Sequence, residues 1–278
     1  MAVGRPTHLR WVPRLMLARE EVVPIRGGTV RFRGLQAGVG EPLIFFHSFE
    51  GLAGWPEFLE RLSGRYAVRA PLHPGVGGSE GVESLDDVVD LALAYDEWLT
   101  ALGIDRCHLA GHFFGGMVAA EVAALCPSRV RRLALLSPMG LWLDGVPQAD
   151  SVTLPPSELH PLLWKDPESP AAKAWATPPP SDEAKATAQI ERIQRLAAMG
   201  KFVWPIPDKG LKKRLHRIVA PTLLVWGDSD RVNPVAYGEE FLRRLKRAEL
   251  RILPGGHMLP YESSEATARA LLDFLSAP

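Results

Sequence analysis

The sequence predicts an α/β protein: a mostly parallel central sheet with helices on both faces, broken by a helical, proline-rich insertion. Three observations carry this. Short apolar runs of strand length alternate with longer stretches of helical periodicity, as expected when parallel strands are joined by crossover helices. The alternation stops at Gly140 and resumes at Pro221, and nine prolines fall between Pro147 and Pro180. A glycine-bracketed turn, Gly111-His112-Phe113-Phe114-Gly115-Gly116, joins an apolar run directly to an alanine-rich helical stretch.

Taken in order, residues 1–20 read as an irregular arm. Residues 22–25 and 29–35 read as two strands joined by the turn signal Gly27-Gly28. Residues 42–46 (Pro-Leu-Ile-Phe-Phe) form an apolar run of buried-strand length followed at once by His47-Ser48. A short helix is expected at 58–62 and a strand at 66–71, which empties into the turn-rich loop 73–79. Residues 85–102 are helical, with Val88, Leu91, Ala92, Tyr95 and Leu99 on one stripe. The strand before the glycine turn, its helix to Leu125 and a strand at 132–136 follow. After the proline-rich stretch, 181–199 read as a helix with Ile190, Ile193 and Leu196-Ala197 on its inner face. Strands at 221–226 and 250–253 alternate with helices near 237–245 and at 264–275. The 278 residues thus divide into a core, 1–139 with 218–278, and a cap at 140–217.

Composition narrows the function. Lys plus Arg and Asp plus Glu both number 32, so the formal net charge is zero. This argues against nucleic acid or an anionic membrane as partner. Cys107 and Cys126 are expected to be buried, reduced thiols. No 18-residue apolar run predicts a membrane span, and the first residues lack a signal-peptide core, so a cytoplasmic location is expected. There is no phosphate-binding glycine loop and no Cys/His metal spacing, so neither cofactor nor metal is expected.

Residues 111–116 have the frame of a nucleophile elbow, Gly-x-Nuc-x-Gly, in which a sharp strand-to-helix turn lifts a nucleophile above the sheet. Here the nucleophile position holds Phe113. A phenyl ring cannot attack a carbonyl, and a bulky residue with positive φ is strained. In parallel sheets ligands gather at the carboxyl ends of strands. His47-Ser48, the elbow, Asp228-Ser229-Asp230 and Gly255-Gly256-His257 all follow strands and are expected to meet at one rim.

With these motifs in view, the chain resembles the α/β-hydrolase superfamily over nearly its full length. His47-Ser48 is similar to the His-Gly oxyanion loop, with serine in place of glycine. Residues 74–79 (Pro-Gly-Val-Gly-Gly-Ser) resemble the family's Pro-Gly-x-Gly-x-Ser loop. Residues 226–234 resemble the segment bearing the acid, which falls on Asp230 with Asp228 as competitor. Gly256-His257, with Glu262 and Glu265 beyond it, resembles the catalytic-histidine loop. The resemblance implies that His257 would act as base and Asp230 would orient it. It places an oxyanion hole at the backbone N–H groups of Ser48 and Phe114. His112 and Phe114 match residues that flank the family's nucleophile. The proline-rich segment occupies the family's cap position.

Three functions stay open on the sequence. The first is a hydrolase lineage for esters, thioesters or C–C bonds, with its nucleophile lost at Phe113; a serine there would make an ordinary serine hydrolase. The second is a cofactor-free enzyme using His257 and Asp230 non-covalently. The third is a ligand-binding pseudoenzyme. Ser48 is a lesser candidate nucleophile, and Cys107, inside a strand, is discounted. Trp142, Trp164, Trp175, Phe202 and Trp204, with His47, His112 and Met258, are the candidate substrate contacts. They favour a small apolar or acyl-type molecule. Arg231 or Lys201 is placed to meet any acidic group.

Overall fold

The computed structural model describes residues 18–52, 54–204 and 208–277. The arm expected over 1–20 lies outside the described residues as far as residue 17, and by Arg19 the chain is strand.

The strands are β1 (Arg19–Ile25), β2 (Val30–Ala37), β3 (Pro42–Phe46), β4 (Ala67–Pro71), β5 (Cys107–His112), β6 (Val130–Leu136), β7 (Thr222–Gly227) and β8 (Ala248–Leu253). They form one sheet in the order β1-β2-β4-β3-β5-β6-β7-β8. The β1–β2 and β2–β4 pairs are antiparallel, and every pair from β4–β3 to β7–β8 is parallel.

Ten helices accompany the sheet among the described residues. In the core these are α1 (Glu57–Ser63), α2 (Val88–Ala101) and α3 (Phe114–Leu125). Between β6 and β7 come α4 (Pro156–Leu163), α5 (Pro170–Ala176), α6 (Asp182–Val203) and α7 (Leu211–Arg214). The last three are α8 (Ala236–Arg244), α9 (Leu259–Glu262) and α10 (Ser264–Leu275).

Successive side chains on a strand face opposite sides, and β3 shows the consequence. Ile44 and Phe46 enter the apolar layer shared with α2, α3 and α8; Leu43 and Phe45 enter the layer under α1 and α10. Covered on both faces, the central strands are continuous apolar runs, which is why they read so clearly.

Helix starts follow local chemistry. Asp87 caps α2, accepting from the N–H groups of Val89 and Asp90, so the helix begins at Val88 and not at 85. Its expected stripe, Val88, Leu91, Ala92, Tyr95 and Leu99, is buried. Helix α6 departs from expectation. Ile190 and Ile193 are each 55% exposed, whereas Ala198, Met199, Phe202 and Val203 are buried. Only the C-terminal turns of this 22-residue helix dock on the core. Its upstream part presents Ala188, Arg192, Arg195 and Leu196 to a cavity.

Candidate active site

The rim is built by the carboxyl ends of β3, β5, β7 and β8. At the end of β5 the turn is forced by close backbone approach. A Cβ on Gly111 would lie 2.3 Å from the Gly115 carbonyl oxygen, and one on Gly115 would lie 2.1 Å from that of Phe46. Only glycine fits either position, so β5 and α3 meet at a sharp corner. Phe113 sits on that corner with φ 46° and ψ −102°. This conformation is strained for a side chain with a Cβ.

The histidine arm is fully assembled. His257 Nδ1 donates to Asp230 Oδ2 at 2.9 Å. Asp230 Oδ1 accepts from the N–H groups of Val232 (3.0 Å) and Asn233 (2.8 Å), so the carboxylate is held from both sides. Burial pushes the His257 imidazole down, but the Asp230 carboxylate, helped by Glu50, outweighs it and holds the group above its ordinary value. Asp228, the competitor, instead pairs with Lys165 at 2.8 Å and accepts from the Gly255 N–H. Hydrogen bonds from Lys165 and Ser229 hold the Asp228 carboxyl below its usual range.

Two further residues brace this arm. Asn233 donates to the carbonyls of both Ser137 and Pro138 at 3.0 Å, tying the acid loop to the end of β6. Glu262 accepts from the N–H groups of Gly256, Lys165 and Asp166, pinning the histidine loop to the segment after α4. Asn233 has no signal in the sequence, because its role exists only once β6 and β7 are neighbours.

The elbow arm is different. The Phe113 ring stands perpendicular to the His257 ring, with centroids 4.5 Å apart. The Phe49 ring packs on both Phe113 (5.8 Å) and Phe114 (5.2 Å). His257 Nε2, the atom that would take a nucleophile's proton, is buried with no hydrogen-bond partner. Phe114 is the first residue of α3, so its N–H has no helical acceptor. Ser48 Oγ does not face a base of the histidine arm; it donates to the Glu50 carboxylate. The Cys107 thiol is buried in β5 and pushed up to about 12 by burial, which keeps it protonated and unreactive.

His47 and His112, expected at the substrate, serve the walls. His47 Nδ1 donates to the Ser48 carbonyl (2.8 Å), and its Nε2 accepts from the His73 N–H (3.3 Å). His73 Nε2 donates to the His47 carbonyl (3.0 Å), and its Nδ1 accepts from the Tyr95 hydroxyl (2.6 Å). Burial pushes His47 down to about 4 and His73 well below its ordinary value, so both are neutral. His112 Nε2 donates to the His257 carbonyl at 2.9 Å, which supports the histidine loop from beneath. Met258 is buried and its N–H is bound to the Leu163 carbonyl.

A cavity of about 1360 Å³ opens between the loop after β3, α9 and helices α4 to α6. Phe49, Glu50, Trp164, Trp175, Arg195 and Tyr261 are among its lining residues. Trp175 packs at a tilt against Tyr261 (5.0 Å) and edge-on against Trp164 (6.3 Å), making one aromatic wall. Neither His257 nor Phe113 is in the lining. Of the expected aromatic contacts, Trp164 and Trp175 line the cavity, and Trp142, Trp204 and Phe202 do not. Trp142 is an exposed residue bonded to Asp144, Trp204 is 58% exposed beyond the end of α6, and Phe202 is buried in the core. The basic residues at the cavity are Arg192 and Arg195. Lys201 and Arg231 are elsewhere, donating to the carbonyls of Val82 and Pro161. Among the described residues no group of three His, Cys, Asp or Glu side chains is placed to hold a metal ion, and no helix is long and apolar enough to cross a membrane.

Fold, corner and acid–histidine pair together define an α/β-hydrolase framework, and the comparisons agree. Residues 43–270 match the model of the alpha/beta hydrolase family, and the chain belongs to that family. It is 28% identical to a 2-hydroxy-6-oxo-6-phenylhexa-2,4-dienoate hydrolase of Burkholderia cepacia, covering 86% of this chain and 89% of that one. It is 30% identical to a 2-hydroxy-6-oxononadienedioate/2-hydroxy-6-oxononatrienedioate hydrolase of Paraburkholderia phymatum, covering 90% and 93%. Among solved structures it is similar to a bacterial membrane phospholipase A (TM-score 0.77, 28% identity, 94% of this chain and 86% of that one). The fold is shared with the 2-hydroxy-6-oxo-6-phenylhexa-2,4-dienoate hydrolase of Rhodococcus sp. strain RHA1 (TM-score 0.74, 23% identity, 94% and 99%).

Proposed function

We propose that this chain is a hydrolase in lineage whose covalent chemistry is closed by Phe113, and that it binds a small, largely apolar molecule in the cavity beneath α4 to α6. The lineage reaction is hydrolysis of an ester, thioester or carbon–carbon bond. Supporting it are the order elbow, acid, histidine along the chain and relatives named as hydrolases of conjugated oxo acids.

The observation that carries the reading is the Phe113 ring standing perpendicular against His257, whose Nε2 is buried and unpartnered. Acyl transfer needs a nucleophile whose proton passes to that nitrogen across a hydrogen bond. A phenyl ring has neither the proton nor the lone pair. A non-covalent role for His257 and Asp230 requires the imidazole to reach the ligand, and it is absent from the cavity lining. The binding surface is then the wall of Trp164, Trp175 and Tyr261, with Arg192 and Arg195 beside it. We assign residues 140–217 to the cap that roofs it.

Turnover and melting test this together. Wild type is expected to leave p-nitrophenyl butyrate intact, while an aromatic ligand recovered unchanged is expected to raise its melting temperature. Phe113→Ser is expected to gain ester turnover that Phe113→Ser/His257→Ala lacks. Wild-type turnover above the buffer rate, abolished by His257→Ala, would contradict the reading.

A further inference from the structure

We infer that Glu50 is a specificity-determining residue: it sets this end of the cavity against anions and in favour of a ligand carrying an N–H donor or a cation on an aromatic body. The inference rests on the ligand-binding reading above.

Glu50 belongs to the tight turn closed by the Gly51 N–H on the Ser48 carbonyl at 2.9 Å. Its carboxylate accepts the Ser48 hydroxyl and lines the cavity. It is therefore bound to the side chain of Ser48, the residue whose N–H is one of the two donors expected to face a developing oxyanion. Among the described residues Glu50 forms no salt bridge. Arg195, also at the cavity, donates its Nε to the Phe49 carbonyl at 2.7 Å, and its Cδ packs over Gly51. Arg195 and His257 feel its charge without closing an ion pair on it, and a carboxylate with no salt-bridge partner in a partly desolvated pocket repels an anion and attracts a donor more strongly than it would in water. Its reach is visible elsewhere: after burial, the Glu50 charge is the next cause holding the Tyr261 phenol above its ordinary value. Oxyanion sites work by aiming donors at developing negative charge, and Glu50 places charge of the wrong sign there.

Three probes sharing one aromatic body separate the contributions: phenylacetate, phenylacetamide and 2-phenylethylamine. Binding is read through the fluorescence of Trp164 and Trp175 and by calorimetry. Wild type is expected to bind the amide or the amine at least tenfold more tightly than the carboxylate. Glu50→Gln, which keeps an oxygen acceptor for Ser48, is expected to remove that preference. In a second arm, Phe113→Ser/Glu50→Gln is expected to raise kcat for p-nitrophenyl acetate at least tenfold over Phe113→Ser. An unchanged order of affinities in Glu50→Gln, or no binding of any probe, overturns the inference. The binding reading fails by a different sign, covalent turnover in the wild type.

Discussion

The two arms of the rim make an instructive contrast. On the histidine arm, from β7 and β8, the polar groups other than His257 Nε2 are tied down: His257 Nδ1 on Asp230, Asp230 on two backbone N–H groups, Asn233 across to β6, and Glu262 under the loop. On the elbow arm, from β3 and β5, the same backbone corner survives, but two phenyl rings and a carboxylate fill the space. The polar groups of the histidine arm are tied to one another and to the backbone, whereas the elbow arm is packed with apolar rings. Removing Asp230 or Asn233 leaves buried donors and acceptors orphaned. With Phe113 at the elbow, the atom left unpaired at this corner is His257 Nε2.

The largest expected effect lies on the histidine arm. Asp230→Ala strips partners from the His257 Nδ1–H and two backbone N–H groups, and is expected to lose about 3–5 kcal/mol of stability. A urea titration with a loss under about 1 kcal/mol would show that this arm is not structural. Next comes acid. His47 has a folded pKa of about 4 against an ordinary value near ~6.5. The unfolded chain therefore takes up the proton first. Stability from neutral His47 is present above about pH 6.5 and is lost, by about 3 kcal/mol, as pH falls toward about 4. His257 has the opposite sign: its raised pKa gives stability that is full below about pH 6.5 and lost as pH climbs past its folded value. Melting temperatures across pH 4 to 9 read both, and a flat acid limb contradicts the assignment of His47 as buried and neutral.

Glu262→Ala is expected to lose about 2 kcal/mol, since a carboxylate accepting backbone N–H groups is a strong acceptor. Equal melting of variant and wild type would remove it as a brace. The smallest effect concerns the corner itself. Both Phe113→Ala and Phe113→Gly empty the ring's space, but glycine also relieves the positive φ. The glycine variant is expected to be more stable than the alanine one by about 1 kcal/mol, the reverse of the usual order. Alanine proving the more stable would mean the corner is unstrained.

How much of this is legible in the sequence follows from where each signal originates. The strand at 42–46, the helix at 264–275 and the glycine corner are set by local patterns and close approach, and the structure places them at the same residues. The inner face of α6 is not legible, because Ile190 and Ile193 have helical spacing while docking by the far end of the helix decides what is buried. For the same reason Arg192 and Arg195 carry no sequence signal as cavity residues, and the exposed Trp142 and Trp204 read as pocket. Composition counts aromatic rings but does not say which way they point. Glu50 is silent in the sequence because its importance depends on a turn that folds its carboxylate back onto Ser48.

The central claim is that Phe113 alone stands between an assembled acid–histidine arm and a covalent reaction. Intact-protein mass spectrometry after treatment with a fluorophosphonate tests it most directly. Wild type is expected to gain no adduct. Phe113→Ser is expected to gain one equivalent, on the hydroxyl introduced at the elbow, and adding His257→Ala is expected to suppress it. An adduct on the wild-type chain would contradict the account, for it would reveal a nucleophile elsewhere in the site.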